Sequence, residues 1–105
     1  MKKFIVLYSG GLEMAGTSPQ EREASMKVWE KWFKGLGKSI VEMGAPFSGS
    51  RTLSSSGAQD GNGGIATNAY SIFQASDLEA SAKLDKDCPG ISEGGKVHIF
   101  ELVAM

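Results

Sequence analysis

The residues of this chain that most readily suggest chemistry are one histidine, one cysteine and a small set of aromatic side chains. His98 is the first candidate, because an imidazole titrates near neutrality and can serve as a general acid or base. It lies in the run Lys96-Val97-His98-Ile99-Phe100-Glu101. On a strand it shares a face with Phe100 and stands opposite Glu101, so His98 and Glu101 cannot form a dyad within that strand. Tyr8 or Glu101 is left as a distant helper. The competing reading is a histidine that bonds to backbone or reaches solvent at a strand edge. Cys88 is a candidate nucleophile, but it follows a helix C-terminus and has Asp85 and Asp87 beside it. The helix dipole and the two acids both disfavour a thiolate, so a packed thiol is the better reading.

The aromatic residues suggest binding instead. Trp29 and Trp32 are three apart, which puts them on one face of a helix. With Phe33, Tyr8 and Tyr70 they could line a pocket for a planar ligand, or they could simply pack the core. Arg51 could hold an anionic group at the mouth of such a pocket, or stand solvated at a strand end. The glycine-rich stretch from Ser54 to Gly64 has no lysine and no helix start after it, so it does not match a phosphate loop. Glu21 and Glu23, like Asp85 and Asp87, are two apart and do not face each other on a helix, so both pairs read as solvated surface. No metal site and no cofactor are expected.

The composition bounds the rest. The 105 residues suffice for one domain, 1–105. Apolar residues at 41% and charged residues at 22% suit a globular chain. Eleven basic against twelve acidic residues argue against a nucleic-acid partner. A single cysteine excludes an intrachain disulfide. No apolar run nears the ~18 residues of a membrane span. Met1-Lys2-Lys3 followed by Phe4 to Tyr8 imitates a signal peptide, but the apolar stretch is shorter than the usual ~7–15 residues. A soluble cytoplasmic domain without a membrane partner is expected.

The elements that would position these residues can be read in order. Phe4-Ile5-Val6-Leu7-Tyr8 is a strand, apolar on both faces, ending at the turn Ser9-Gly10-Gly11. Ser18, Pro19 and Glu21 form a helix start. Met26, Trp29, Phe33, Leu36, Ile40 and Met43 follow at steps of three and four, which predicts one helix up to Gly44. Gly35 and Gly37 inside it suggest a bend or a close approach. Pro46-Phe47 can begin a short strand, and Ser54 to Gly64 reads as a mobile hairpin tip. Asn68 to Gln74 is a strand. Ser76 or Asp77 caps a second helix with Leu78, Ala82 and Leu84, which Cys88-Pro89-Gly90 stops. Lys96 to Val103 is the last strand. The order is that of an α+β, ferredoxin-like βαββαβ sandwich with an antiparallel sheet and both helices on one face. Because the first and last strands are apolar on both faces, a sheet-to-sheet homodimer is predicted.

Several segments resemble the YCII-related domain proteins, small members of the dimeric α/β barrel superfamily. The similarity runs through Lys3-Phe4-Ile5-Val6-Leu7-Tyr8, Trp29-Glu30-Lys31-Trp32, Glu42-Met43-Gly44-Ala45-Pro46-Phe47 and Tyr70-Ser71-Ile72-Phe73-Gln74-Ala75-Ser76-Asp77-Leu78. Cys88-Pro89 and Gly95-Lys96-Val97-His98-Ile99 follow in register. One branch of that family carries Asp-Gly-Pro-Phe in the central hairpin, whereas Asp60-Gly61 is followed here by Asn62-Gly63. Enzymatic members of the wider family use a His–Asp pair near the first helix, and this helix has neither residue. The resemblance therefore implies the fold, the dimer and a cleft between sheet and helices, without a catalytic set. It also implies a bacterial setting, where some members accompany alternative sigma factors.

Three functions follow as expectations. The first is binding of a small apolar or aromatic metabolite between helix one and the sheet. The second is a cofactor-independent enzyme of small aromatic or hydroxy-acid metabolism using His98 as acid or base. The third is a protein-interaction module linked to transcription regulation. Binding ranks first, because the chain supplies aromatic lining and no convincing catalytic set.

Overall fold

The apolar run near the start becomes strand β1 (Lys2–Ser9) in a computed structural model that describes residues 1–10, 18–65 and 67–104. Gly11, the last residue of the expected turn, lies outside the described residues. β1 sits between β5 (Ala69–Ala75) and β6 (Lys96–Leu102), and β2 (Ile40–Pro46) borders β5. All these pairs are antiparallel, so the chain is a mixed α+β protein built on a four-stranded antiparallel sheet of order β2-β5-β1-β6. A separate hairpin holds β3 (Arg51–Ser54) and β4 (Gly57–Asp60). The expected hairpin tip at Ser54 to Gly64 is thus narrower: it turns at Ser55-Ser56, and residues 57–60 run back as a strand.

Helix α1 (Pro19–Leu36) starts where expected, with the Ser18 hydroxyl accepting from the Glu21 N–H at 3.2 Å. It stops seven residues before Met43, the last member of the predicted stripe, because Gly37 takes φ +53 at the C-terminus. After a turn of 3-10 helix, Ile40 and Val41 begin β2. Both are β-branched and suit the sheet, so Ile40 and Met43 fall on the helical spacing by coincidence. Asp77 caps α2 (Leu78–Asp85), accepting from the Ala80 N–H at 2.8 Å. Pro89 ends that segment as expected but also opens a single turn, α3 (Pro89–Ser92), where a proline fits.

The sheet has two unlike faces. Phe4, Val6 and Tyr8 of β1 share a face with Ser71, Phe73 and Ala75 of β5, and all are buried. Trp29, Trp32, Phe33 and Leu36 of α1 and Leu84 of α2 pack against this side. On the other face Ile5, Leu7 and Ile72 are only half covered, and their β6 neighbours Phe100 and Leu102 are exposed. The result is a slab of 44 × 43 × 19 Å with a radius of gyration of 15.1 Å. A compact chain of this length would have about 13 Å. Among the described residues no helix is long and apolar enough to cross a membrane.

One irregularity shapes the site. The register of β2 on β5 shifts between Ile40 and Glu42 and again between Glu42 and Ala45. Gly44 sits in the second shift at φ +77, and a Cβ there would lie 1.8 Å from the carbonyl oxygen of Tyr70. The bulge places the Met43 carbonyl where the Ser71 hydroxyl donates to it at 2.7 Å. Gly44→Ala is expected to cost about 3 kcal/mol or more in urea unfolding, since both the backbone and the space oppose it. Gly49→Ala has nothing within 4 Å and should stay within about 0.5 kcal/mol; equal effects would remove the bulge from this account.

Candidate functional site

Where α1 crosses the sheet near the ends of β1 and β2, a cleft of about 530 Å³ opens, large enough for a small organic molecule. Tyr8, Trp29, Phe33, Met26, Met43 and Phe47 give it apolar walls. Met26, Met43 and Phe47 are 58%, 56% and 46% exposed, so these walls are open to solvent rather than packed on each other. The Tyr8 ring meets Trp29 edge-on at 5.3 Å, and Trp29 lies 5.9 Å from Phe33. Gly90 of α3 lets the indole lie against the backbone, since a Cβ there would stand only 3.3 Å from Trp29. Across the cleft, Phe47 stacks on Tyr70 with centroids 6.1 Å apart.

The floor is polar. The Tyr8 hydroxyl donates to the Ser71 hydroxyl at 3.0 Å, and Ser71 donates to the Met43 carbonyl. Burial raises the Tyr8 hydroxyl well above its ordinary pKa of 10, so the phenol stays protonated. The rim carries Glu21, Glu30 and Glu93 with Arg22 and Lys96, and the Ser25 hydroxyl holds Glu93 at 3.0 Å.

Asp85 belongs to the buried side of this region. It was expected on solvated surface with Asp87, and that expectation is corrected: Asp85 is 2% exposed, while Asp87 is exposed. Ser81 and Asp85 are four apart and share the inner face of α2, the spacing that could have shown it. Among the described residues neither carboxylate oxygen has a hydrogen-bond partner, and neither does the Ser81 hydroxyl. Burial pushes the Asp85 carboxyl up to about 7, and its charge in turn raises Tyr8 and Cys88. Cys88 is buried, and burial pushes its thiol up to about 11, which leaves it unreactive at neutral pH.

The structure separates the other candidates. Tyr8, Trp29 and Phe33 come together in the cleft, and Tyr70 joins them at its edge. Tyr70 donates its hydroxyl to Glu42, and that bond raises its pKa. Trp32 does not line the cleft; it packs on Phe33 and Phe73 at 5.0 and 5.9 Å. Arg51 stands on the hairpin, paired with Asp60 at 3.1 Å, away from the cleft lining. His98 lies on the open face opposite Leu7, with its Nε2 3.1 Å from the Ser9 hydroxyl. Tyr8 and Glu101 occupy the helix-side register, so His98 is not brought to either. Met26, Met43, Phe47 and Ser71 were not singled out as ligand contacts. Ser71 had a signal, because it alternates with Phe73 and falls on the covered face. Met43 and Phe47 had none, because the bulge at Gly44 sets where they point. Among the described residues no group of three or more His, Cys, Asp or Glu side chains could hold a metal ion.

No protein-family model matches the chain, and no curated protein sequence matches it significantly. The reading of the site therefore rests on these side chains.

The buried carboxyl has a measurable consequence. Its folded-state pKa of about 7 lies above its ordinary 3.8, so the folded chain holds a proton that the unfolded chain has lost. Its stabilising share is complete below pH 3.8 and is lost as pH rises through about 7. Between pH 5 and 8 the native protein should lose roughly 2 kcal/mol that Asp85→Asn keeps. Urea unfolding of both proteins at the two pH values checks this; parallel pH profiles would contradict it.

Proposed function

We propose that this chain is a small-molecule binding protein that holds an apolar or aromatic metabolite in the cleft between α1 and the sheet, and that it works as a homodimer. The observation that carries the reading is the cleft itself, with Trp29 and Tyr8 on one side and the exposed Met26, Met43 and Phe47 around it. Large apolar side chains left open around a concave surface are the usual mark of a binding site.

The strand order β2-β5-β1-β6, with the β3–β4 hairpin set aside, supports a ferredoxin-like reading and with it the resemblance to YCII-related proteins. The dimer is supported by the uncovered face. Ile5, Leu7, Ile72, Phe100 and Leu102 form an apolar surface over which none of the described helices packs. A second copy offers the same surface, and a two-fold axis lets the two sheets cover each other. The enzymatic alternative rests on His98. It ranks lower, because among the described residues its side chain meets only the Ser9 hydroxyl as a hydrogen-bond partner and it faces away from the aromatic cleft.

Two measurements test the reading. A broad set of aromatic and apolar metabolites, screened by tryptophan fluorescence and thermal shift, should include binders whose affinity falls at least about tenfold in Trp29→Ala. A screen with no response counts against the cleft. Light scattering at micromolar concentration should give twice the chain mass for the native protein and one chain mass for Phe100→Glu. A stable native monomer would contradict the dimer.

A further inference from the structure

The cleft floor has a fixed hydrogen-bond polarity. Its chain runs from the Tyr8 hydroxyl to the Ser71 hydroxyl at 3.0 Å and on to the Met43 carbonyl at 2.7 Å. A backbone carbonyl can only accept, so Ser71 must spend its hydrogen there. Ser71 can then meet Tyr8 only by accepting, and the Tyr8 hydrogen is spent in turn. What Tyr8 has left for a ligand is the lone pairs of its oxygen. Tyr8, Ser71 and Met43 all line the cleft, which puts the hydroxyl end of Tyr8 at its floor. Tyr8 is 6% exposed and Ser71 is fully buried, so of the two hydroxyls Tyr8 is the one a ligand can reach, and the Met43 carbonyl beside them is likewise an acceptor.

We infer that the cleft selects planar apolar molecules that bring a neutral hydrogen-bond donor, a hydroxyl or N–H group, to the oxygen of Tyr8. This rests on the binding reading above and narrows it to a ligand class. A ligand that offers only an acceptor, such as an ether or a ketone, meets lone pair against lone pair at the floor and leaves its own polar group unpaired. A carboxylate fares worse, because among the described residues the rim adds three glutamates against one arginine and one lysine. Trp29 and Phe33 supply the stacking wall that favours a flat ring system.

The test uses one scaffold with three polar ends: 2-naphthol, 2-methoxynaphthalene and 2-naphthoate, titrated calorimetrically into the native protein and into Ser71→Ala. The native protein should bind naphthol at least about tenfold more tightly than either of the others, the usual penalty for an unpaired buried polar group. Ser71→Ala removes the acceptor and frees the Tyr8 hydrogen to point into the cleft. The variant should therefore gain affinity for methoxynaphthalene relative to naphthol, which narrows the gap. A purely structural role for Ser71 would weaken all three together, and circular dichroism confirms that the variant is folded. Equal binding of naphthol and methoxynaphthalene by the native protein, or a gap unchanged in Ser71→Ala, overturns the donor rule while leaving the cleft a binding site. Failure of all three to bind the folded native protein overturns the binding reading and the donor rule with it.

Discussion

Strand β1 is apolar on both faces, and the described helices lie on only one of them. Most of the architecture follows from that imbalance. Phe4, Val6 and Tyr8 find their cover in α1 and α2, while Ile5 and Leu7 keep only partial cover from neighbouring strands. A slab one sheet and one helix layer thick buries few side chains completely, and its radius of gyration stays above that of a compact chain. On the proposed reading a second copy supplies the missing layer. The same thinness leaves α1 resting on the sheet along part of its length, so the gap beside β2 remains a cleft instead of closing into core.

The polar floor of that cleft depends on a backbone irregularity. Gly44 admits the bulge, the bulge presents the Met43 carbonyl, and that carbonyl orients Ser71 and then Tyr8. Tyr8 and Ser71 are buried, and each hydroxyl in the chain is partnered, which makes the arrangement stiff. Asp85 is the contrast. It is buried without a partner among the described residues and favours its neutral form up to near neutrality, so this region becomes more costly to keep folded as pH rises. Buried carboxyls of this kind lower stability at neutral pH, and natural proteins sit close enough to the stability threshold for the effect to matter.

Much of the fold was legible in the residues, for reasons that can be named. The Ser18-Pro19-Glu21 start of α1 and the Asp77 cap of α2 are local hydrogen-bond chemistry, and they formed as read. Phe4 to Tyr8 and Asn68 to Gln74 were legible as strands, and the face of β1 that holds Phe4, Val6 and Tyr8 is the one the helices bury. The end of α1 was misread because Ile40 and Met43 continue the helical spacing. Gly37 and two β-branched residues outweigh that spacing, and the order of these opposing preferences shows only in the folded chain. The cleft was half legible. Trp29, Phe33 and Tyr8 follow from helix and strand periodicity, while Met43 and Phe47 depend on a bulge that no local pattern specifies. Trp32 and Arg51 are suitable residue types that their elements place away from this cleft, one against the core and the other on the hairpin.

The central claim is that the α1–sheet cleft of a dimer holds a small molecule. Native mass spectrometry of the protein purified gently from its own host tests this most directly. The account predicts a species of twice the chain mass carrying an additional few hundred daltons, lost on collisional activation or in Trp29→Ala. A bare single-chain mass under conditions that preserve weak complexes would contradict it.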